Sequence, residues 1–128
     1  YKSYVKKAPT LIQVNGLGNT MAFYRSKFEA DLRKHIEELE KRGEDKKKAP
    51  EEAFQKLSVE KKAYKLLYDH LNEWKREQRK NKDILDWIRD ENTSSLEVFR
   101  ATKEIIALLN WMKRFAEAEL RDKEKEEG

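Results

Sequence analysis

Between Val98 and Ala116 the apolar side chains come back every three or four positions. Val98, Ala101, Ile105, Leu108, Leu109, Met112 and Ala116 share one face of a helix that turns by about 100° per residue. The same period runs through Val59, Ala63, Leu66, Leu67, His70, Leu71 and Trp74, and again through Met21, Phe28, Leu32, Ile36 and Leu39. A chain patterned in this way is committed to helices that each bury one face. Its four glycines and two prolines are too few to turn the many strands of a β-sandwich or barrel. The expected fold class is all-α: one bundle of five or six helices. The last helix is the most apolar, and Ile106 and Trp111 widen its core face. It is therefore expected at the centre of the bundle, with Leu108, Leu109 and Met112 nearly fully buried.

Punctuation divides the helices. Residues 2–15 read as a helix kinked or broken at Pro9, which lacks a backbone donor. Asn15, Gly16 and Gly18 mark a tight turn, after which Asn19 or Thr20 caps a single helix over 20–42 that Gly43 stops. Pro50 with Glu51 and Glu52 opens a short helix. Ser58 caps the next one. The run KREQRKNK at 75–82 is too polar to pack on a core, and a short helix surrounds Ile84, Leu85, Trp87 and Ile88. Ser94 and Glu97 have capping-box spacing and open the last helix. The bundle domain is expected over 1–121, with 122–128 as a charged, disordered tail. The chain opens on Tyr1 rather than Met, so an upstream segment is expected.

Composition removes several chemistries. The absence of cysteine excludes disulfide scaffolds, thiol catalysis and Cys-ligated zinc. Two histidines cannot build a His-rich metal site. No window approaches the roughly 18 apolar residues of a membrane span, so a cytoplasmic protein without a membrane partner is expected. NGLG at 15–18 lacks the spacing and the preceding strand of a phosphate-binding loop. Glu37/Glu38 and Glu51/Glu52 are consecutive, so on a helix they diverge by about 100° and share neither proton nor metal. Asp69 and His70 diverge likewise, and both His70 and His35 read as core histidines. No cofactor, metal or catalytic residue is expected.

Charge is uneven along the chain. The first 28 residues hold no acid but carry Lys2, Lys6, Lys7, Arg25 and Lys27, a candidate anion-binding surface. On the last helix, Lys103, Asn110, Arg114 and Arg121 line up opposite the core face. Trp74, Trp87 and Trp111 sit on or beside apolar stripes and read as core.

Three segments carry a resemblance: VKKAPTLIQVNGLGNTMAF at 5–23, AYKLLYDHLNEW at 63–74 and RATKEIIALLNWMKRFAEA at 100–118. In these the chain resembles the small helical subunit of the Cmr complex, the type III-B CRISPR effector that captures and cuts foreign RNA in antiviral defence. The resemblance implies a ribonucleoprotein subunit with no active site. Its implied partners are guide RNA, target RNA, the backbone ribonuclease and large subunits, and further copies of itself in a filament. Charge placement in and beside the resembling motifs makes Lys6, Lys7, Lys27, Lys103, Lys113 and Arg114 the candidate RNA-contacting residues, expected to act by phosphate attraction rather than base reading. Two other readings stand beside it: a protein-binding helical scaffold without RNA contact, and the analogous small subunit of a related type III complex. Contiguity of the Lys6/Lys7 surface with the Lys103/Arg114 line would favour RNA.

Overall fold

A computed structural model describes residues 1–127, and among them helix is the sole regular secondary structure. Seven α-helices follow one another: α1 (Lys2–Asn15), α2 (Leu17–Ser26), α3 (Glu29–Lys41), α4 (Ala49–Gln55), α5 (Val59–Glu73), α6 (Ile84–Arg89) and α7 (Ser95–Glu127). A 3-10 turn, Arg76–Arg79, bridges α5 and α6. No helix among the described residues is long and apolar enough to cross a membrane.

The count exceeds the five or six expected because the helix read over 20–42 is two. The break falls at Lys27–Phe28, where neither Gly nor Pro signals it. Phe28 leaves helical geometry (φ −129°) and enters the core, packing edge-on to Tyr68 with ring centroids 5.5 Å apart. Ser26 Oγ donates to the Phe23 carbonyl at 2.6 Å, one way a hydroxyl competes with the helix ladder. Conversely, α1 is one helix through Pro9. Val5, Ala8, Pro9 and Ile12 are all buried on one face, and that burial outweighs the missing backbone bond.

Gly16 alone links α1 to α2, at φ +85°, a left-handed conformation open to glycine. Thr20 is not a cap: it lies one turn inside α2, and its hydroxyl donates to the Gly16 carbonyl at 2.8 Å. Gly18 also lies in α2, where an added Cβ would meet Ile88 of α6 at 3.6 Å. The other signals perform as read. Gly43 (φ +86°) ends α3, with Gly43 N–H bonding to the Glu40 carbonyl and Glu44 N–H to the Leu39 carbonyl, both at 3.1 Å. Ser58 Oγ accepts from Lys61 N–H at 3.2 Å, and Ser94 and Glu97 cap one another at 3.0 and 3.1 Å.

Helix α2 packs against four others, α1, α3, α5 and α6. The last helix is not central: α7 packs chiefly along α1. It buries Ala101, Ile105 and Leu109, but Leu108 and Met112 are half-buried and Trp111 is 63% exposed. The helix continues through residues 122–127, the segment that the sequence sets apart by its charge. A second, smaller cluster of Leu39, Ala49 and Ala53 lies between α3 and α4.

Tyr24 of α2 is buried, and its hydroxyl has no hydrogen-bond partner among the described residues. Burial, with the neighbouring Tyr64 second, pushes its pKa up to about 12. A pKa raised in the fold adds stability below about pH 10 that is lost as pH climbs toward 12. Tyr24→Phe removes both the orphaned hydroxyl and the titration. At pH 7 it is expected to be neutral or to stabilise by about 1 kcal/mol. The gap should widen in its favour near pH 11, as thermal melts at the two pH values would show. A Phe variant clearly less stable than wild type at pH 7 would mean that the hydroxyl is satisfied.

Candidate nucleic-acid interface

The packing of α1 on α7 brings two of the six candidate cations together. Val5, Met112 and Ala116 floor a cleft of about 80 Å³ that Tyr1, Lys2, Lys6, Lys113 and Glu117 also line. Lys6 is exposed and Lys113 half-buried. Lys7 is exposed on α1, about 100° further round, and does not line this cleft. Lys103 and Arg114 are exposed on α7, about 20° apart in azimuth and about 16 Å apart along the axis. Arg114 is about 100° round from Lys113, so α7 presents a cleft-side cation and an outer line rather than one row. Lys27 stands in the turn that ends α2, with its ammonium 5.0 Å from the ring centre of Phe23 and 6.0 Å from that of Tyr64.

Among the described residues, ion pairing takes up seven other cations, while Lys2, Lys34, Lys62, Arg89 and Arg100, among others, resemble the six candidates in having no carboxylate within 4.0 Å. Arg25 belongs to the acid-free segment by sequence, but Glu29 takes its guanidinium through two bonds of 2.8 Å. Glu29 also accepts from Arg33 at 2.9 Å, and hydrogen bonds, Arg25's first, hold its carboxyl below the usual range. Lys61 is paired with Asp31, Lys65 with Asp69, Lys75 with Glu104, Arg76 with Asp83 and Lys82 with Asp90. Among the described residues, none of Lys6, Lys7, Lys27, Lys103, Lys113 and Arg114 has a carboxylate within 4.0 Å. Their charge is uncompensated at close range, as an anion-binding surface requires.

Residues 1–119 match the family model described as CRISPR-associated protein (Cas_Cmr5). The chain belongs to this family. It is a small subunit of the Cmr complex of type III-B CRISPR systems, and membership carries with it assembly with other Cmr subunits. No solved structure matches it.

In this Cmr small subunit two carboxyls do meet, Glu44 and Glu52, and their contact raises the Glu52 pKa. Among the described residues, no three of His, Asp and Glu are placed to hold one metal ion. Asp69 is engaged by Lys65 at 2.6 Å. His70 is not a core histidine: it is exposed, and its Nδ1 meets the Tyr1 hydroxyl. His35 is half-buried, with Nδ1 4.0 Å from Glu38. Trp74 and Trp87 are half-buried against the core, whereas Trp111 stacks on Phe115 at the surface, centroids 5.5 Å apart. The sequence did not single out Arg100 or Lys75. These two line a groove of about 240 Å³ beside α7 with Trp74, Trp87 and Glu104. The signal for them lay in Arg100, at the head of the 100–118 motif.

Proposed function

We propose that this Cmr small subunit is non-catalytic and cytoplasmic, that it stacks with copies of itself along the effector filament, and that it contacts the phosphate backbone of target and guide RNA in antiviral defence. The observation that supports RNA contact is the cleft between α1 and α7 where Lys6 and Lys113 meet, neither with a carboxylate within 4.0 Å among the described residues. Lysine and arginine neutralise phosphates and release counterions, which gives salt-dependent affinity without sequence preference. Sequence choice then rests on guide–target pairing. The scaffold reading, without RNA contact, draws on the exposed Leu96, Phe99, Trp111 and Phe115.

Changing Lys6, Lys7, Lys103, Lys113 and Arg114 together to Ala tests the proposal in the assembled complex. Target-RNA affinity is expected to fall by about 10- to 100-fold, alike for all matched sequences. The slope of log affinity against log salt should flatten by about 0.7 for each phosphate that is no longer neutralised. Stability should change little, because exposed charges contribute about 0–1 kcal/mol each. Unchanged affinity and slope in a complex that still incorporates the variant would give the case to the scaffold reading.

A further inference from the structure

The outer face of α7 interleaves exposed aromatic rings with cations. Phe99, Trp111 and Phe115 are 55%, 63% and 55% exposed, and Arg100, Lys103 and Arg114 are exposed among them. At about 100° per residue the six fall within an arc of roughly 160°, over about 24 Å of helix. Trp111 and Phe115 are already nearly parallel, at 18°, and the Lys103 ammonium lies 4.6 Å from the centre of the Phe99 ring. Glu104 shares this face but is taken by Lys75 at 3.0 Å. Rings of this size, left in water beside cations, are costly unless covered. Their surroundings select the cover: an apolar protein face would bury Arg100 and Arg114 without partners, whereas an anionic chain bearing planar groups satisfies both.

We infer that Trp111 and Phe115 form a stacking platform for unpaired bases of single-stranded RNA, whose phosphates run along Arg100, Lys103 and Arg114. This rests on the RNA contact proposed above and adds to it a contact with the bases. Any base has a π-face, so the platform adds affinity without reading sequence. It also makes α7 a sensor of unpaired RNA, because bases locked in a duplex cannot stack on it.

The test uses the full chain at low salt, with fluorescence anisotropy of two labelled oligomers: a uridine 12-mer and an abasic ribose-phosphate 12-mer. Trp111→Ala/Phe115→Ala is expected to weaken uridine binding by about 5- to 100-fold, to leave the abasic oligomer unaffected and to keep the wild-type salt slope. Trp111→Phe should retain most of the affinity. Lys6→Ala/Lys113→Ala should weaken both oligomers together and flatten the slope. If the aromatic variant binds uridine as tightly as wild type while the lysine variant does not, the platform is overturned and phosphate contact stands. Equal losses on both oligomers overturn the platform too, as does intact RNA binding with failed incorporation into the Cmr complex. If wild type binds neither oligomer, the platform falls, and RNA contact is decided by the measurement in the assembled complex.

Discussion

Leu109→Ala is expected to lower the stability of the fold by about 2–5 kcal/mol, a fall in melting temperature of roughly 10–20 °C for a chain of this length. Leu109 is 0% exposed and belongs to the main core with Ile105 and the buried face of α1. Truncating it strips apolar packing and leaves a cavity that two packed helices cannot close. The neighbouring Leu108 gives the control. It is half-buried and outside that cluster, so Leu108→Ala should cost less than half as much. Thermal melts of the two variants check both values. Equal shifts would mean that α7 sits more centrally than its packing on α1 implies.

Arg79→Ala is expected to cost about 3 kcal/mol, read by urea unfolding at pH 7. Arg79 is 5% exposed, yet among the described residues it has no carboxylate within 4.0 Å. Its Nη1 donates to the Trp74 carbonyl and its Nη2 to the Asn72 carbonyl, both at 2.5 Å, and Nε reaches the Lys82 carbonyl at 3.4 Å. Asn72 Oδ1 in turn accepts from Ile84 N–H at 2.8 Å. The guanidinium thus ties the end of α5 to the start of α6, across a turn with positive φ at Lys75, Lys80 and Asn81. Burial lowers its pKa, which marks the cost of keeping a cation there, and removing it recovers part of that cost. The orphaned carbonyls outweigh the recovery. Arg79→Lys should rescue less than half, because one ammonium cannot reproduce the fork. An Arg79→Ala variant within about 0.5 kcal/mol of wild type would show that water replaces the guanidinium freely.

These two residues also show what a sequence discloses. Leu109 was legible because a 3.6-residue period names the buried face of a helix. The period cannot say what covers that face, so Leu108, Met112 and Trp111 read as core when α7 packs chiefly along α1. Arg79 was not legible. KREQRKNK reads as solvent-facing by polarity, and nothing local shows that three carbonyls converge on its one buried guanidinium. Caps were legible at Ser58, Ser94/Glu97 and Gly43 because their hydrogen bonds are local. The break at Lys27–Phe28 was not, since the apolar stripe continues across it and Phe28 turns inward to meet Tyr68. At the interface, the acid-free start named Lys6 and Lys7. Only tertiary packing could pair Lys6 with Lys113 or remove Arg25 through Glu29.

The separate cluster between α3 and α4 gives the molecule two degrees of cooperativity. Leu39, Ala49 and Ala53 touch one another and reach the main core through Leu32, which contacts both clusters, while Phe54 of α4 packs on the main core directly. Two of the three are alanines, so the area that they withdraw from water is small. Opening this outer hairpin is therefore expected to need less free energy than melting α1, α2 and α5. The hairpin is expected to act as a foldon of its own, its amides exchanging in a hydrogen-exchange experiment through a sub-global opening that leaves the α1–α7 surface intact. Changes in the length of the 43–48 loop are absorbed there, without a register shift in the helices that carry the cations.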